Sequence, residues 1–302
     1  YPIADAESRR SSLSRSQNRK KLQLAASGEH PTNMTVTQPT VKVPGVFSSS
    51  TEDSTVTARK ASGPLTYRFR MMLVGVWAAI VTFSVFVVSL FTWGHIVSGW
   101  LYARGLHLLG MPILGIKVRV SGRENLPKEP SVLLINHQSN FDAFFLGGLF
   151  PWKTVVVAKT EMQKVPFFGL TLRASRTIFV DREDSSDAKK AIKNAISAIK
   201  NDKNNIWIFP EGTRSQGKGL GQFKKGAFAM AIAAQAPIVP IINQPMEHVL
   251  DTNTKTLRGG VQQVKILPAI ETKGMKFRDI DALLKQVEDL FHREIASFSE
   301  AK

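Results

Sequence analysis

The feature that most limits how this chain can fold is a long run without charge. Residues 71–94, MMLVGVWAAIVTFSVFVVSLFTWG, fill 24 positions with no ionisable side chain. At about 1.5 Å per residue, a helix of that length reaches across a hydrocarbon core of roughly 30 Å. Tyr67, Trp93 and Trp100 stand near its ends, where amphipathic rings prefer the membrane interface. Arg68 and Arg70 precede it and favour a start on the cytoplasmic side. A second apolar stretch, 96–116, contains Arg104 and His107 and makes a poor span. Two arrangements stay open: one full crossing, or a helical hairpin dipping into one leaflet. The length and uniformity of the run disfavour a core helix of a soluble protein.

The rest of the chain falls on either side of this region. Residues 1–66 are rich in Ser, Thr and charge and carry no apolar period, so a disordered tail is expected there. Its Arg and Ser content fits a targeting segment, but Asp5, Glu7 and Glu29 weaken that reading. Residues 67–116 are expected to anchor the protein in a membrane. Residues 117–302 read as an α/β domain with a mixed, largely parallel sheet flanked by helices. Candidate strands are 117–120, 132–136, 154–158, 177–181, 206–209, 238–242 and 261–267. Several are continuous apolar runs, as strands buried on both faces require. Between them, DAKKAIKNAISAIKNDK puts Ala188, Ile192, Ala195, Ile196 and Ile199 on one helical face and lysines on the other. GAFAMAIAAQA reads as a fully buried helix, and 279–298 as an amphipathic one.

The formal net charge is +16, which implies an anionic partner: nucleic acid, an anionic membrane or a phosphorylated substrate. The absence of cysteine removes disulfides, thiolate zinc sites and cysteine nucleophiles together.

The chemistry collects where apparent strands end. His137 follows the run 131–135, and Asp142 comes five residues later. That spacing does not stack two side chains on one helix. It does let Asp142, in the first turn of a following helix, reach back to His137 Nδ1. Nε2 would then be free to act as a base. Ser139 or Asn140 is placed to cap that turn. The alternative is a histidine in a polar turn beside a helix-capping aspartate. After the run 206–209 come Glu211, Gly212, Thr213 and Arg214. Arg214 offers a planar fork for a phosphate, and Gly212 lets backbone approach a ligand. Asp181 and Arg182 end another strand and Lys159 a fourth. In open α/β sheets, sites gather beyond the carboxyl ends of strands. A base, two arginines and a lysine there suit one kind of chemistry, the deprotonation of a hydroxyl on a substrate held by its phosphate.

Two other readings fail on particular residues. GTRSQGKG has the glycine–lysine spacing of a phosphate-binding loop, but Gly219 stands where a magnesium-binding Ser or Thr would be. No Gly-x-Ser-x-Gly elbow is present to mount a serine nucleophile.

Taken together, these blocks resemble the glycerolipid acyltransferases, most closely the 1-acyl-glycerol-3-phosphate (lysophosphatidic acid) acyltransferases. The Asn-His-x4-Asp block is NHQSNFD, 136–142, and the Ile-Phe-Ile-Asp-Arg block is IFVDR, 178–182. The glycine that often opens that second block is Arg176 here. Phe-Pro-Glu-Gly-Thr-Arg-Ser is matched without change at 209–215, and the Pro-Ile-Val-Pro strand at 237–240. The resemblance covers roughly residues 70–290. It implies transfer of a fatty acyl group from acyl-CoA or acyl-carrier protein to the sn-2 hydroxyl of lysophosphatidic acid, giving phosphatidic acid. His137 would be the general base and Asp142 its orienter. Arg182, Glu211, Gly212, Thr213, Arg214 and, more weakly, Lys159 would bind substrate. No metal or bound cofactor is implied; the expected partners are lysophosphatidic acid, an acyl thioester and membrane lipids, with no nucleic acid. The resemblance also implies a membrane location with the catalytic domain on the cytoplasmic side. The GKGLGQFKKGAF continuation favours a bacterial inner membrane over endoplasmic reticulum or an organelle. The rivals are a sibling enzyme acting on glycerol 3-phosphate or another lysophospholipid, and a non-catalytic protein that binds anionic lipid.

Overall fold

The computed structural model describes residues 60–93, 95–126, 128–181 and 185–300. Nearly all of the tail expected over 1–66 lies outside the described residues.

All seven expected strands form, in one mixed sheet. In chain order they are β1 (Ile116–Ser121), β2 (Val132–Ile135), β3 (Thr154–Lys159), β4 (Ile178–Val180), β5 (Asn205–Ile208), β6 (Ile238–Asn243) and β9 (Gly260–Ile266). Their spatial order is β1-β9-β6-β2-β5-β3-β4. All pairings are parallel except β6 with β9. A small hairpin, β7 (Leu250–Asp251) and β8 (Thr256–Leu257), stands apart. The sequence did not announce it, because two-residue strands have no readable period. It is held by the Asp251 carboxylate, which accepts from the N–H groups of Asn253 and Thr254.

β2 is central, and all four of its residues are buried. Alternation along a strand sends side chains to opposite faces. Val132 and Leu134 pack on one face with α5 (Ser185–Lys200), α6 (Lys225–Ala234) and α7 (Ile280–Glu300). Leu133 and Ile135 pack on the other with α2 (Val97–Leu114) and α3 (Asp142–Gly147). This double coverage explains the uninterrupted apolar run. On α5 the buried stripe is Ala191, Ala195, Ala198 and Ile199. Ala188, expected on that stripe, is exposed: it sits in the first turn, where the helix has not yet settled onto the sheet.

The uncharged run forms α1 (Pro64–Phe91), 28 residues long and apolar enough to cross a membrane by length and composition. Val74, Val81, Val85 and Ser89 are its buried stripe, while Phe69, Met72, Val76, Ile80, Phe83 and Leu90 are exposed. α1 and α2 pair as a helical hairpin, and α4 (Phe168–Ala174) packs beside them. Trp77 Nε1 donates to the Gly105 carbonyl at 2.9 Å, and Ser89 Oγ donates to Ser98 Oγ at 3.0 Å nearer the tip. The polar residues that spoil the second stretch as a span turn toward the sheet domain. Arg104 Nη1 donates to the Gly148 carbonyl at 2.7 Å, and His107 Nδ1 lies 2.8 Å from the Phe144 carbonyl.

Candidate active site

β2, β3, β4, β5 and β6 run parallel, so their carboxyl ends share one edge of the sheet. The local sequence builds a site there because each of these strands stops at a polar or turn-forming residue. β2 gives way to Asn136 and His137, β5 to the 209–215 loop, β3 ends in Lys159 and β6 in Asn243.

The first block folds back on itself. His137 Nδ1 lies 2.7 Å from Asp142 Oδ2. The same oxygen accepts the backbone N–H groups of Gln138 at 2.7 Å and Ser139 at 3.0 Å. Asp142 Oδ1 accepts from Asn243 Nδ2 at 3.2 Å. Because the carboxylate accepts, the His137 proton sits on Nδ1, and Nε2 presents its lone pair outward. The His137 side chain is 23 % exposed and Asp142 1 %. His137 stacks on Phe209, with ring centroids 4.0 Å apart. Ser139 does not cap α3 from the N-cap position; its Oγ accepts the Phe141 N–H at 2.9 Å inside the turn.

Glu211, expected at the substrate, is buried beneath the loop. It is 2 % exposed, and both carboxylate oxygens face inward. Oε1 accepts the His137 backbone N–H at 2.6 Å and Oε2 the Gly221 N–H at 2.7 Å. A Cβ at position 221 would lie 2.6 Å from Oε2, so that approach needs glycine. With both oxygens accepting from main chain, Glu211 braces the loop against β2. Burial pushes its carboxyl above the usual glutamate range, against the two backbone N–H groups that pull it down.

Gly212 has φ +72°, the left-handed conformation that glycine takes without strain. It turns the chain so that Thr213 and Arg214 face outward, both exposed. An Arg214 guanidinium nitrogen donates to Asn140 Oδ1, joining the third block to the first. Lys159 is exposed and paired with Glu161 at 2.5 Å. Arg182 lies outside the described residues.

One cavity of about 1240 Å³ collects His137, Asn140, Lys159, Gly212, Thr213 and Arg214 at its polar end. It continues past Tyr102, Ala103 and Leu106 of α2 to Thr154 at the amino end of β3. β3 alone spans about 16 Å. The site thus joins an imidazole and cationic side chains to a long apolar channel.

Sequence reasoning missed the layer beneath. Asn136 Nδ2 donates to the Asn243 carbonyl at 2.9 Å, and the Asn243 N–H donates to Asn136 Oδ1 at 2.8 Å. Gln138 Nε2 donates to the carbonyls of Asn243 and Gln244, and Gln262 Nε2 donates to Asn243 Oδ1. Asn243 ends a strand at the same edge as His137, a signal that was available. Gln262 had none.

The known proteins this chain resembles fit the architecture. The sequence profile of the acyltransferase family matches residues 117–244. A 1-acyl-sn-glycerol-3-phosphate acyltransferase of Saccharomyces cerevisiae is 35 % identical over 64 % of this chain. The aligned region is 64 % of the yeast protein, just under two thirds of its length. The alpha 1-acyl-sn-glycerol-3-phosphate acyltransferase of Mus musculus is 30 % identical over 78 % of this chain and 81 % of its own. Among solved structures, the 1-acyl-sn-glycerophosphate (LPA) acyltransferase PlsC of Thermotoga maritima shares the fold, with a TM-score of 0.60 at 24 % identity. That match covers 78 % of this chain and 95 % of the Thermotoga chain. By sequence and by fold, this chain belongs to the acyltransferase family that includes the 1-acyl-sn-glycerol-3-phosphate acyltransferases.

Proposed function

We propose that this protein moves a fatty acyl group from an acyl thioester to the sn-2 hydroxyl of 1-acyl-glycerol 3-phosphate, giving phosphatidic acid. One observation carries the reading. His137, oriented by Asp142, and Arg214 stand at the polar end of a channel long and apolar enough for a fatty chain. His137 Nε2 takes the proton of the acceptor hydroxyl as its oxygen attacks the thioester carbonyl. The tetrahedral intermediate collapses with loss of the thiolate, and the proton passes from His137 to the leaving sulfur. Arg214, with Arg182 and more weakly Lys159, holds the acceptor phosphate and so aims the hydroxyl at His137. Gly212 and Thr213 shape the loop that carries the arginine. The thioester is already activated, so a base, an oxyanion environment and positioning suffice, and no metal or bound cofactor is called for.

The same reading sets the protein on a membrane with the sheet domain on the cytoplasmic side, where acyl-CoA and acyl-carrier protein are found. The outer face of α1 and the exposed Met162, Val165, Phe167 and Leu170 form the lipid-facing surface. Phe167 packs edge-on against Phe83 and Phe86, so this segment and α1 share one side of the molecule.

The test is acyl transfer from radiolabelled acyl-CoA, and separately from acyl-carrier protein, to a panel of acceptors. Phosphatidic acid from lysophosphatidic acid is the expected product. Preferred acylation of glycerol 3-phosphate or another lysophospholipid would move the protein to a sibling activity. Binding of anionic vesicles with no acylated product would make it a lipid-binding protein.

A further inference from the structure

Beneath the dyad lies a relay of buried amides that no catalytic step employs. Asn243 and Gln262 are both 0 % exposed. Asn243 Nδ2 donates to Asp142 Oδ1 at 3.2 Å, and Asn243 Oδ1 accepts from Gln262 Nε2 at 2.9 Å. Gln262 Nε2 also donates to the Gln244 carbonyl at 2.5 Å. These partners determine which way each amide points. Asp142 and the Gln244 carbonyl only accept, so both must face nitrogen. The Asn243 backbone is fixed as well, through its reciprocal pair with Asn136. The three amide residues sit in or directly after β2, β6 and β9, which are neighbours in the sheet.

Gln262 is the informative member. Its Oε1 is buried and has no hydrogen-bond partner among the described residues. An orphaned buried acceptor is destabilising. An apolar residue would fill the same space in β9 without that cost. What the glutamine adds is its donating end, which can only orient Asn243 and Gln244.

We infer that Asn243 and Gln262 are positioning residues for the His137–Asp142 dyad: Gln262 sets the Asn243 amide, and Asn243 locks Asp142 Oδ1. Oδ2 is already engaged by His137 and two backbone N–H groups. Without Asn243, Oδ1 loses its donor, the carboxylate can twist while Oδ2 stays engaged, and the hold on the His137 Nδ1–H tautomer weakens. The inference rests on the proposed role of His137 in acyl transfer, but its geometry can be tested without turnover.

The experiment combines steady-state kinetics with nitrogen-15 NMR of histidine in the full-length protein in detergent. Asn243→Leu keeps the branched outline of the side chain and Gln262→Met roughly its length, while each removes the amide. Asn243→Leu should lower kcat about tenfold with little change in either KM. Its neutral His137 ring should show a mixture of Nδ1–H and Nε2–H tautomers, in place of the single Nδ1–H form of the parent. Gln262→Met should lower kcat several-fold alone and add nothing in the Asn243→Leu background, since it acts through Asn243. Should Asn243→Leu fail to fold, Gln262→Met alone carries the test, with Asn243 present but unanchored. Unchanged kcat and tautomer in folded variants, or losses that multiply in the double variant, overturn the inference. If the parent protein transfers no acyl group at all, the functional reading fails, and the tautomer still decides the positioning role.

Discussion

The Glu211 carboxylate accepts the backbone N–H of His137 at 2.6 Å. The 136–142 and 209–215 blocks are therefore joined before any substrate arrives. Ser215 N–H to the His137 carbonyl and Gln216 N–H to the Gln138 carbonyl extend the seam. This buried carboxylate makes stability depend on pH. Burial raises its folded-state pKa, so the folded protein holds the Glu211 proton more tightly than the unfolded chain. The contribution is fully present below the unfolded glutamate value of about 4.3 and is lost as pH rises through the raised folded value. Glu211→Gln should flatten that part of the Tm–pH curve. It should also lower the acid plateau, because an amide can accept only one of the two backbone N–H groups. A parent and a variant with parallel Tm–pH curves would remove Glu211 as the cause.

The dyad geometry sets the second expectation. His137→Ala should lower acyl transfer on the order of 10² to 10⁴ while the protein still folds and stays with the membrane. Asp142→Asn should be nearly as severe, because an amide nitrogen turned toward Nδ1 selects the wrong tautomer. Circular dichroism and membrane fractionation beside the rate assay separate this from misfolding. Near-parent turnover by folded His137→Ala protein would end the general-base assignment.

Arg176 has φ +62°, in the left-handed region that favours glycine. A side chain in the left-handed region costs about 1–2 kcal/mol. Its ion pair with Asp202, at 3.4 Å between half-exposed side chains, offsets little of that. Arg176→Gly should therefore stabilise the protein by about 1 kcal/mol, read as a higher denaturant midpoint at unchanged m. A lower midpoint would show that the ion pair outweighs the backbone strain.

How much of this was legible in the sequence follows from what each residue has to bury. The central strands showed as apolar runs because both faces of the sheet are covered there, whereas β1 and β9 alternate. His137 and Asp142 showed because a titratable pair at a strand end is conspicuous. The inward turn of Glu211 did not show: nothing in a Glu-Gly-Thr-Arg string says which polar side chain points at backbone and which at solvent. Gln262 was invisible for a related reason. A lone amide inside a strand differs from its apolar neighbours only in what it touches. Arg104 was half legible. Its charge ruled out a simple span, but only the packing of α2 on α3 shows it donating to the Gly148 carbonyl.

The membrane arrangement has its own test. Alkaline carbonate should leave the full-length protein in the membrane fraction, since the outer face of α1 has no covering partner among the described residues. The chain has no native cysteine, so Ser215→Cys gives a single labelling position at the site. An impermeant thiol reagent should reach it only from the cytoplasmic side. Labelling from the opposite side would reverse the proposed orientation.

The last expectation concerns the phosphate. Arg214 is exposed at the polar end of the cavity, and its hydrogen bond to Asn140 fixes where the guanidinium stands relative to the first block. Lysophosphatidic acid carries its phosphate close to the hydroxyl that reacts. A fork held on that phosphate therefore also aims the hydroxyl at His137. Lysine keeps the charge but loses both the bidentate geometry and the fixed link to Asn140. Arg214→Lys should raise KM for lysophosphatidic acid and lower kcat somewhat, with KM for the acyl donor little changed. A loss of about 2 to 3 kcal/mol of positioning corresponds to roughly a 30- to 150-fold fall in kcat/KM. Asn140→Ala should reproduce part of the kcat loss with a smaller rise in acceptor KM, because it frees the fork without removing it. If the donor KM moves instead and the acceptor KM stays, Arg214 contacts the phosphates of the acyl carrier. The 209–215 loop would then belong to the donor half of the site, and the acceptor phosphate would fall to Arg182 and Lys159.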